Sequence, residues 1–285
     1  MNTIDLHVHS TASDGSFTPT EVVELAYKAG LSHFALTDHD TVDGVSEAVA
    51  ASSSYDTLDV IPGIELSCYY ENREIHIVGL YVDYKNETFL KELQALKQAR
   101  IDRNEKMVQK FVDAGIPLTM EELLHGNPNS VITRAHFARV LVEKGVCTSK
   151  TEAFDKYLGI GCPFYLAKPK VTPEHVLNLI QNAGGIAILA HPYSYKFSKS
   201  EVEQLLDETL IPFGLAGMEC YYSTYDLGQT QELRSMALSK NLLVSGGSDF
   251  HGVVKPDISI GTGRGNLCIP DTLLNKILEY RNAQH

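Results

Sequence analysis

Nine side chains able to ligate a divalent cation, all His, Asp or Glu, recur in short clusters along the chain. The first cluster is His7-Val8-His9-Ser10, followed by Ser13-Asp14-Gly15. The next are Thr37-Asp38-His39-Asp40, Gly63-Ile64-Glu65 and Ile75-His76-Ile77. Ala190-His191-Pro192 and Gly247-Ser248-Asp249-Phe250-His251-Gly252 complete the set. Imidazole and carboxylate suit borderline to hard divalent ions such as Zn, Mn and Fe. His7 and His9 alternate along an apolar run, so a strand there points both to one face, where they can chelate one ion. Asp249 and His251 repeat that spacing far along the chain. The small neighbours Ser10, Gly247, Ser248 and Gly252 leave room for an ion and a substrate. A set of this kind can do polynuclear, metal-assisted hydrolysis.

These residues must be carried by elements that converge. Each cluster falls where a strand-like segment ends, and ligands from separate strand ends meet only if the strands share one face, as at the carboxyl end of a barrel. Periodicity predicts strands over residues 4–8, 33–37, 59–67, 74–82, 186–190, 215–220 and 241–245. Helices are expected over 21–29, 45–53, 173–183 and 227–239. Thr18-Pro19-Thr20-Glu21 reads as a helix start and Gly30 as its stop. Repeating strand–helix units imply an α/β fold with a parallel sheet, closed or nearly closed. The rhythm breaks in the middle, where helices are expected over 88–114, 120–125, 133–144 and 150–158 with no strong strand. The expected organisation is a barrel from 1–86 and 169–285, with 87–168 as a helical insertion capping its mouth.

Bulk properties narrow the function classes. A formal net charge of −12 argues against electrostatic capture of long nucleic acid, which needs a basic footprint. Bound divalent ions would reverse the local sign and still attract a small phosphate ester. The five Cys form no C-x-x-C and read as reduced packing residues. Asp5 and His7 interrupt the amino-terminal stretch before an apolar run forms, so a signal peptide is not expected. No window is apolar enough to span a membrane, and a cytoplasmic enzyme is the expectation.

The clusters, in this order and with Phe250 between Asp249 and His251, resemble the motifs of the polymerase and histidinol phosphatase (PHP) superfamily of metal-dependent phosphoesterases. More narrowly, the chain is similar to the stand-alone branch that includes nucleoside 3′,5′-bisphosphate phosphatase. That branch has a helical insertion in the same place and an Arg-x-His motif matching Arg134-Ala135-His136, with Pro common where Ala135 stands here. The resemblance implies a distorted (β/α)7 barrel binding two to three divalent ions (Mn, Zn or Fe). It implies that His7, His9, Glu65 and Asp249 hold the first ion. Glu65 would bridge to a second, completed by His76 and His191, and Asp14, His39 and His251 would hold a third. It further implies in-line attack on phosphorus by a hydroxide bridging the ions, held by Glu65, His191 and Asp249. Asp38 and Asp40 are expected to orient a ligand imidazole.

A phosphate ester also needs cationic grips. Arg134 and His136 stand at the start of an expected helix, whose amino terminus favours an anion. A guanidinium can hold phosphate through two parallel hydrogen bonds. Lys168, where the chain re-enters the barrel, is a further candidate. Tyr221-Tyr222 can stack on a base or pack internally. The expected substrate is a small nucleotide phosphomonoester, foremost the 3′-phosphate of a nucleoside 3′,5′-bisphosphate. Alternatives with the same metal set are a cyclic-phosphate phosphodiesterase, a histidinol-phosphate phosphatase and a 5′→3′ exonuclease on short RNA. A non-catalytic metal-binding module is the alternative of another class.

Overall fold

Seven strands follow one another across a single sheet in chain order. They are β1 (Thr3–Val8), β2 (Leu31–Leu36), β3 (Asp59–Tyr70), β4 (Arg73–Leu80), β5 (Ile186–Leu189), β6 (Gly217–Tyr222) and β7 (Leu243–Gly247). The structure is a computed structural model describing residues 3–71, 73–124, 130–167 and 171–284. The sheet returns on itself where the chain leaves β7. Asp249 N donates to His7 O at 2.9 Å, His9 N donates to Phe250 O at 3.0 Å, and Val8 and Phe250 form a parallel bridge. This is the distorted seven-stranded α/β barrel that the motifs imply.

The sheet is not wholly parallel, as strand–helix alternation alone suggests. β4 runs antiparallel to both β3 and β5. Only two positions separate Tyr70 from Arg73, and a connection that short can join only antiparallel strands. The reversal matters for function. It brings the beginning of β4, with His76, to the barrel end where the parallel strands finish. β3 runs twelve residues, so Glu65 lies mid-strand opposite Val78. Residues beyond β2 keep company with it: Glu65 N donates to Asp38 O at 3.1 Å and Asp40 N donates to Glu65 O at 2.9 Å.

The helices cover the barrel where amphipathic spacing places them. Pro19–Lys28 starts with a capping box between Thr18 and Glu21 and buries Val22, Val23 and Ala26. Pro173–Asn182 buries Val176, Leu177, Leu179 and Ile180, and Leu227–Ser239 begins and ends where its pattern predicts. Lys199–Gln204 and Thr272–Ala283 are further helices. The first is only six residues long before it passes into a π-helical stretch, and the second buries just Leu274 and Ile277, so neither carries a strong periodic signal.

The chain divides into two compact units, residues 1–90 with 171–285, and 91–170. The second unit contains most of the long helix Glu87–Asp113 together with Met120–Leu124, Arg134–Glu143 and Lys150–Ala153, which continues as a π-helix over Phe154–Leu158. It has its own apolar core, with Met107, Phe111, Leu123, Phe137 and Leu141 fully buried. Phe111 and Phe164 stack with ring centroids 4.0 Å apart. Among the described residues no helix is long and apolar enough to cross a membrane.

Candidate metal centre

Alternation along β1 sorts its side chains. Ile4 and Leu6 join an apolar cluster, whereas Asp5, His7 and His9 share the other face and are all completely buried. Burying so many polar groups is costly unless each finds a partner. The close neighbour of His7 is Gly247, where a Cβ would collide with the His7 side chain, so only glycine lets β7 lie against β1 here. His191 (φ 27°) and Asp249 (φ 56°) both have left-handed backbones immediately after their strands. Such conformations are unfavourable for non-glycine residues and cluster at functional sites.

Glu65 is the centre of the cluster. Its Oε1 lies 2.8 Å from His76 Nδ1 and 3.0 Å from His191 Nε2. Its Oε2 lies 2.9 Å from His39 Nδ1 and 3.4 Å from both His7 Nε2 and His9 Nε2. Asp249 Oδ1 is 3.4 Å from His9 Nε2 and 3.8 Å from His7 Nε2. Asp14 faces His251 at 3.2 Å, and His39 and His9 at 3.9 Å. Ligand atoms within 4.8 Å of one another form four overlapping groups: His9, Asp14, His39 and His251; His7, Glu65 and His191; His7, His9 and Asp249; and His39, Glu65 and His76. All nine candidates from the motifs therefore meet in one place. His9 sits between the expected first and third sets, and His39 reaches Glu65 as well as Asp14.

The donor set fits divalent cations. His9 Nδ1, His39 Nδ1, His191 Nδ1 and Glu65 Oε2 are buried atoms without a hydrogen-bond partner. His39 Nδ1 and Glu65 Oε2 are near enough to bond yet do not, and His7 Nε2 and His9 Nε2 face each other at 3.0 Å. Lone pairs converging in a buried space are satisfied by a cation. Electrostatics agree. Burial opposes ionisation of Glu65, but His39, His76 and His7 hold its carboxyl well below the usual range. Burial opposes ionisation of Asp14 too, and His251 and His39 override it. Burial, with His251 beside it, drives the His9 imidazole well down, so it stays neutral and able to ligate.

Several residues that motif reasoning passed over hold this set in place. Glu219 on β6 is almost fully buried, with Oε1 2.8 Å from His7 Nδ1 and Oε2 accepting the His191 N–H at 2.7 Å. The available signal was a lone carboxylate inside the otherwise apolar strand Gly217–Tyr222. Tyr222 neither stacks outward nor packs inertly: its hydroxyl donates to Asp249 Oδ2 at 2.6 Å. Lys255 pairs with the same oxygen. Asp38 is engaged by backbone and hydroxyl donors rather than by an imidazole. Asp38 accepts from Ser10 N and Oγ and from Ser13 N and Oγ at 2.6–3.1 Å, clamping the loop that presents Asp14. Asp40 accepts the Ser67 N–H at 3.0 Å. Asp5 ties the base of the site, accepting from Ser248 N and Gly261 N, both at 2.8 Å.

The proposed phosphate grips belong to the second unit. Arg134 opens the helix Arg134–Glu143 and lies 5.6 Å from the Tyr165 ring centroid. His136 caps its own helix, Nδ1 accepting the Thr133 N–H at 3.0 Å. Lys168 lies outside the described residues.

Comparison with known proteins agrees with this architecture. Residues 5–211 match the PHP domain model. The chain is 38% identical over 251 residues to a 5′-3′ exoribonuclease of Haemophilus influenzae, covering 87% of this chain and 89% of that protein. It is 33% identical over 252 residues to a 3′,5′-nucleoside bisphosphate phosphatase of Chromobacterium violaceum, covering 88% of each. A solved structure from Chromobacterium violaceum, described as an amidohydrolase with bound sulfate and no metal, has a TM-score of 0.86 and 32% identity, covering 98% of this chain and 96% of that one.

Proposed function

The chain belongs to the PHP domain family and is a metal-dependent phosphoric ester hydrolase, and within that class we propose that it removes the 3′-phosphate from a nucleoside 3′,5′-bisphosphate. The observation carrying this reading is Glu65, whose two oxygens face separate sets of imidazoles, His76 and His191 on one side and His39, His7 and His9 on the other. A carboxylate divided in this way suits two cations a few ångströms apart. In this reading His7, His9, Glu65 and Asp249 hold one ion, Glu65, His76 and His191 a second, and Asp14, His39 and His251 a third. Mn, Zn and Fe all suit such nitrogen and oxygen donors.

When bound, the cations would bring the pKa of water down to about 7 and offset charge on the phosphate oxygens. The chain's own residues supply position. Glu219 fixes the His7 ring and the His191 backbone, Tyr222 and Lys255 engage the outer oxygen of Asp249, and Asp38 sets the Asp14 loop. Arg134 and His136, with Lys168, are the proposed phosphate-binding residues of the helical unit.

The bisphosphate substrate is supported by the Chromobacterium violaceum phosphatase. The sulfate on the related structure is a tetrahedral dianion of the same shape as phosphate. The net charge of −12 favours a small substrate over long nucleic acid. A second reading, 5′→3′ trimming of short RNA, is favoured by the higher identity to the Haemophilus influenzae enzyme. Both substrates present a 5′-phosphate beside a 3′-phosphoester, so one site can serve either. The test is product release by Mn-loaded protein from adenosine 3′,5′-bisphosphate, AMP, histidinol phosphate, a cyclic ribose phosphate and a short 5′-phosphorylated RNA. Preference for the bisphosphate, abolished by chelator, supports the first reading. Mononucleotide release from RNA at a higher kcat/KM replaces it with the second.

A further inference from the structure

Asp249 is split between two environments. Oδ1 faces His9 and His251 at 3.4 and 3.3 Å, whereas Oδ2 accepts from the Tyr222 hydroxyl at 2.6 Å and from Lys255 Nζ at 2.5 Å. Lys255 stands six residues past Asp249, following the short turn Gly252–Val254, and its own N–H is tied to Gly252 O at 3.1 Å. The Lys255 side chain is 35% exposed while that of Asp249 is 6% exposed. The ammonium therefore marks the boundary between the buried cluster and solvent. Among the described residues it is the one Lys or Arg paired with any of the nine candidate ligands.

We propose that Lys255 is a substrate-binding residue, its ammonium oriented by Asp249 Oδ2 and donating to a non-bridging oxygen of the phosphate ester. The inference rests on the phosphoesterase reading above and adds a cationic contact from the same unit as Glu65 and Asp249. Three arguments carry it. An ammonium has three donors, more than one carboxylate oxygen takes up, and the Lys255 side chain is 35% exposed. Tyr222 already donates to Oδ2, so that oxygen does not need the lysine for its hydrogen bonding. A fixed cation at the lip of an acidic pocket is also what a phosphate dianion needs to approach Glu65, Asp14 and Asp249.

The test is calorimetric titration of inorganic phosphate into the Mn-loaded protein, its K255M variant and its K255R variant, with bound Mn quantified in each. The expected result is phosphate affinity weakened about tenfold or more in K255M, the size of a lost charge-assisted hydrogen bond. K255R should keep most of the affinity, and the Mn content and unfolding midpoint should be unchanged in both. Equal phosphate affinity in K255M at equal Mn content overturns the proposal. Loss of Mn from K255M overturns it too, and assigns Lys255 to support of Asp249 alone. If the unmodified protein binds Mn but neither hydrolyses an ester nor binds phosphate, the phosphoesterase reading itself falls and takes the inference with it.

Discussion

Glu219 Oε1 lies 2.8 Å from His7 Nδ1, a contact spanning 212 positions of sequence between two side chains that are both almost completely buried. It fixes the ring so that Nε2, the opposite nitrogen, faces Glu65, Asp249 and His9. The other Glu219 oxygen holds the His191 amide, so one carboxylate aligns ligands from two strands. Carboxylates behind a ligating imidazole set its tautomer and raise its basicity.

Replacing Glu219 with Gln should therefore weaken Mn affinity about 10- to 100-fold with the fold retained. Gln keeps an acceptor for the His191 N–H but loses the charge facing His7. An Mn dissociation constant equal to that of the unmodified chain would show that Glu219 is packing and nothing more.

Glu65→Gln and Asp249→Asn should each reduce turnover to below about one per cent while circular dichroism stays native. Chelation of the unmodified chain should give the same loss, reversed by adding Mn. Full activity of either variant in excess Mn would remove that residue from the ligand set.

The Asp38 clamp should be a matter of stability as well as geometry. Asp38→Ala removes the acceptor of the buried Ser10 N–H and hydroxyl and two of the bonds from Ser13, and a cost of at least about 2 kcal/mol is expected from denaturant unfolding. A change below about 0.5 kcal/mol would mean that water or a neighbouring group replaces the carboxylate.

The metal-free protein should lose stability in alkali. Burial opposes the charge on His76, but Glu65 and Glu74 raise its pKa from 6.5 to about 9. A folded value above the unfolded one means that protonated His76 stabilises the native state. That contribution is complete below about pH 6.5 and fades as pH rises through about 9. Chelated protein should thus melt at lower temperature at pH 10 than at pH 6.5, and His76→Asn should flatten the difference. Identical profiles for the two proteins would rule out His76 as the source.

Arg134→Ala should raise KM for a nucleoside bisphosphate about tenfold with little change in kcat, since a grip on the uncleaved phosphate acts in ground and transition state alike. KM for AMP should move less. An unchanged KM for both would take Arg134 out of substrate binding.

The nine candidate ligands were legible in the sequence because their signals are local. His7-Val8-His9 needs only the two-residue period of a strand, and Thr18 with Glu21 needs only a cap. Most strand and helix positions followed from the same short-range rules, the helices Lys199–Gln204 and Thr272–Ala283 excepted, and the order of motifs was enough to identify the family. Tertiary structure decided how those pieces face one another. The β3–β4 reversal puts His76 beside Glu65, and no periodicity within either strand encodes that meeting. Asp38 flanks a candidate ligand in sequence yet clamps the loop of Ser10 and Ser13, and Asp40 accepts a backbone N–H from β3. Glu219 and Lys255 gain their roles only from partners brought close by closure of the sheet and by the turn after β7. Which residues are candidate ligands depends on residue type and spacing, and so can be read along the chain. Ligand orientation depends on contacts across strands far apart in sequence, and only the folded barrel supplies them.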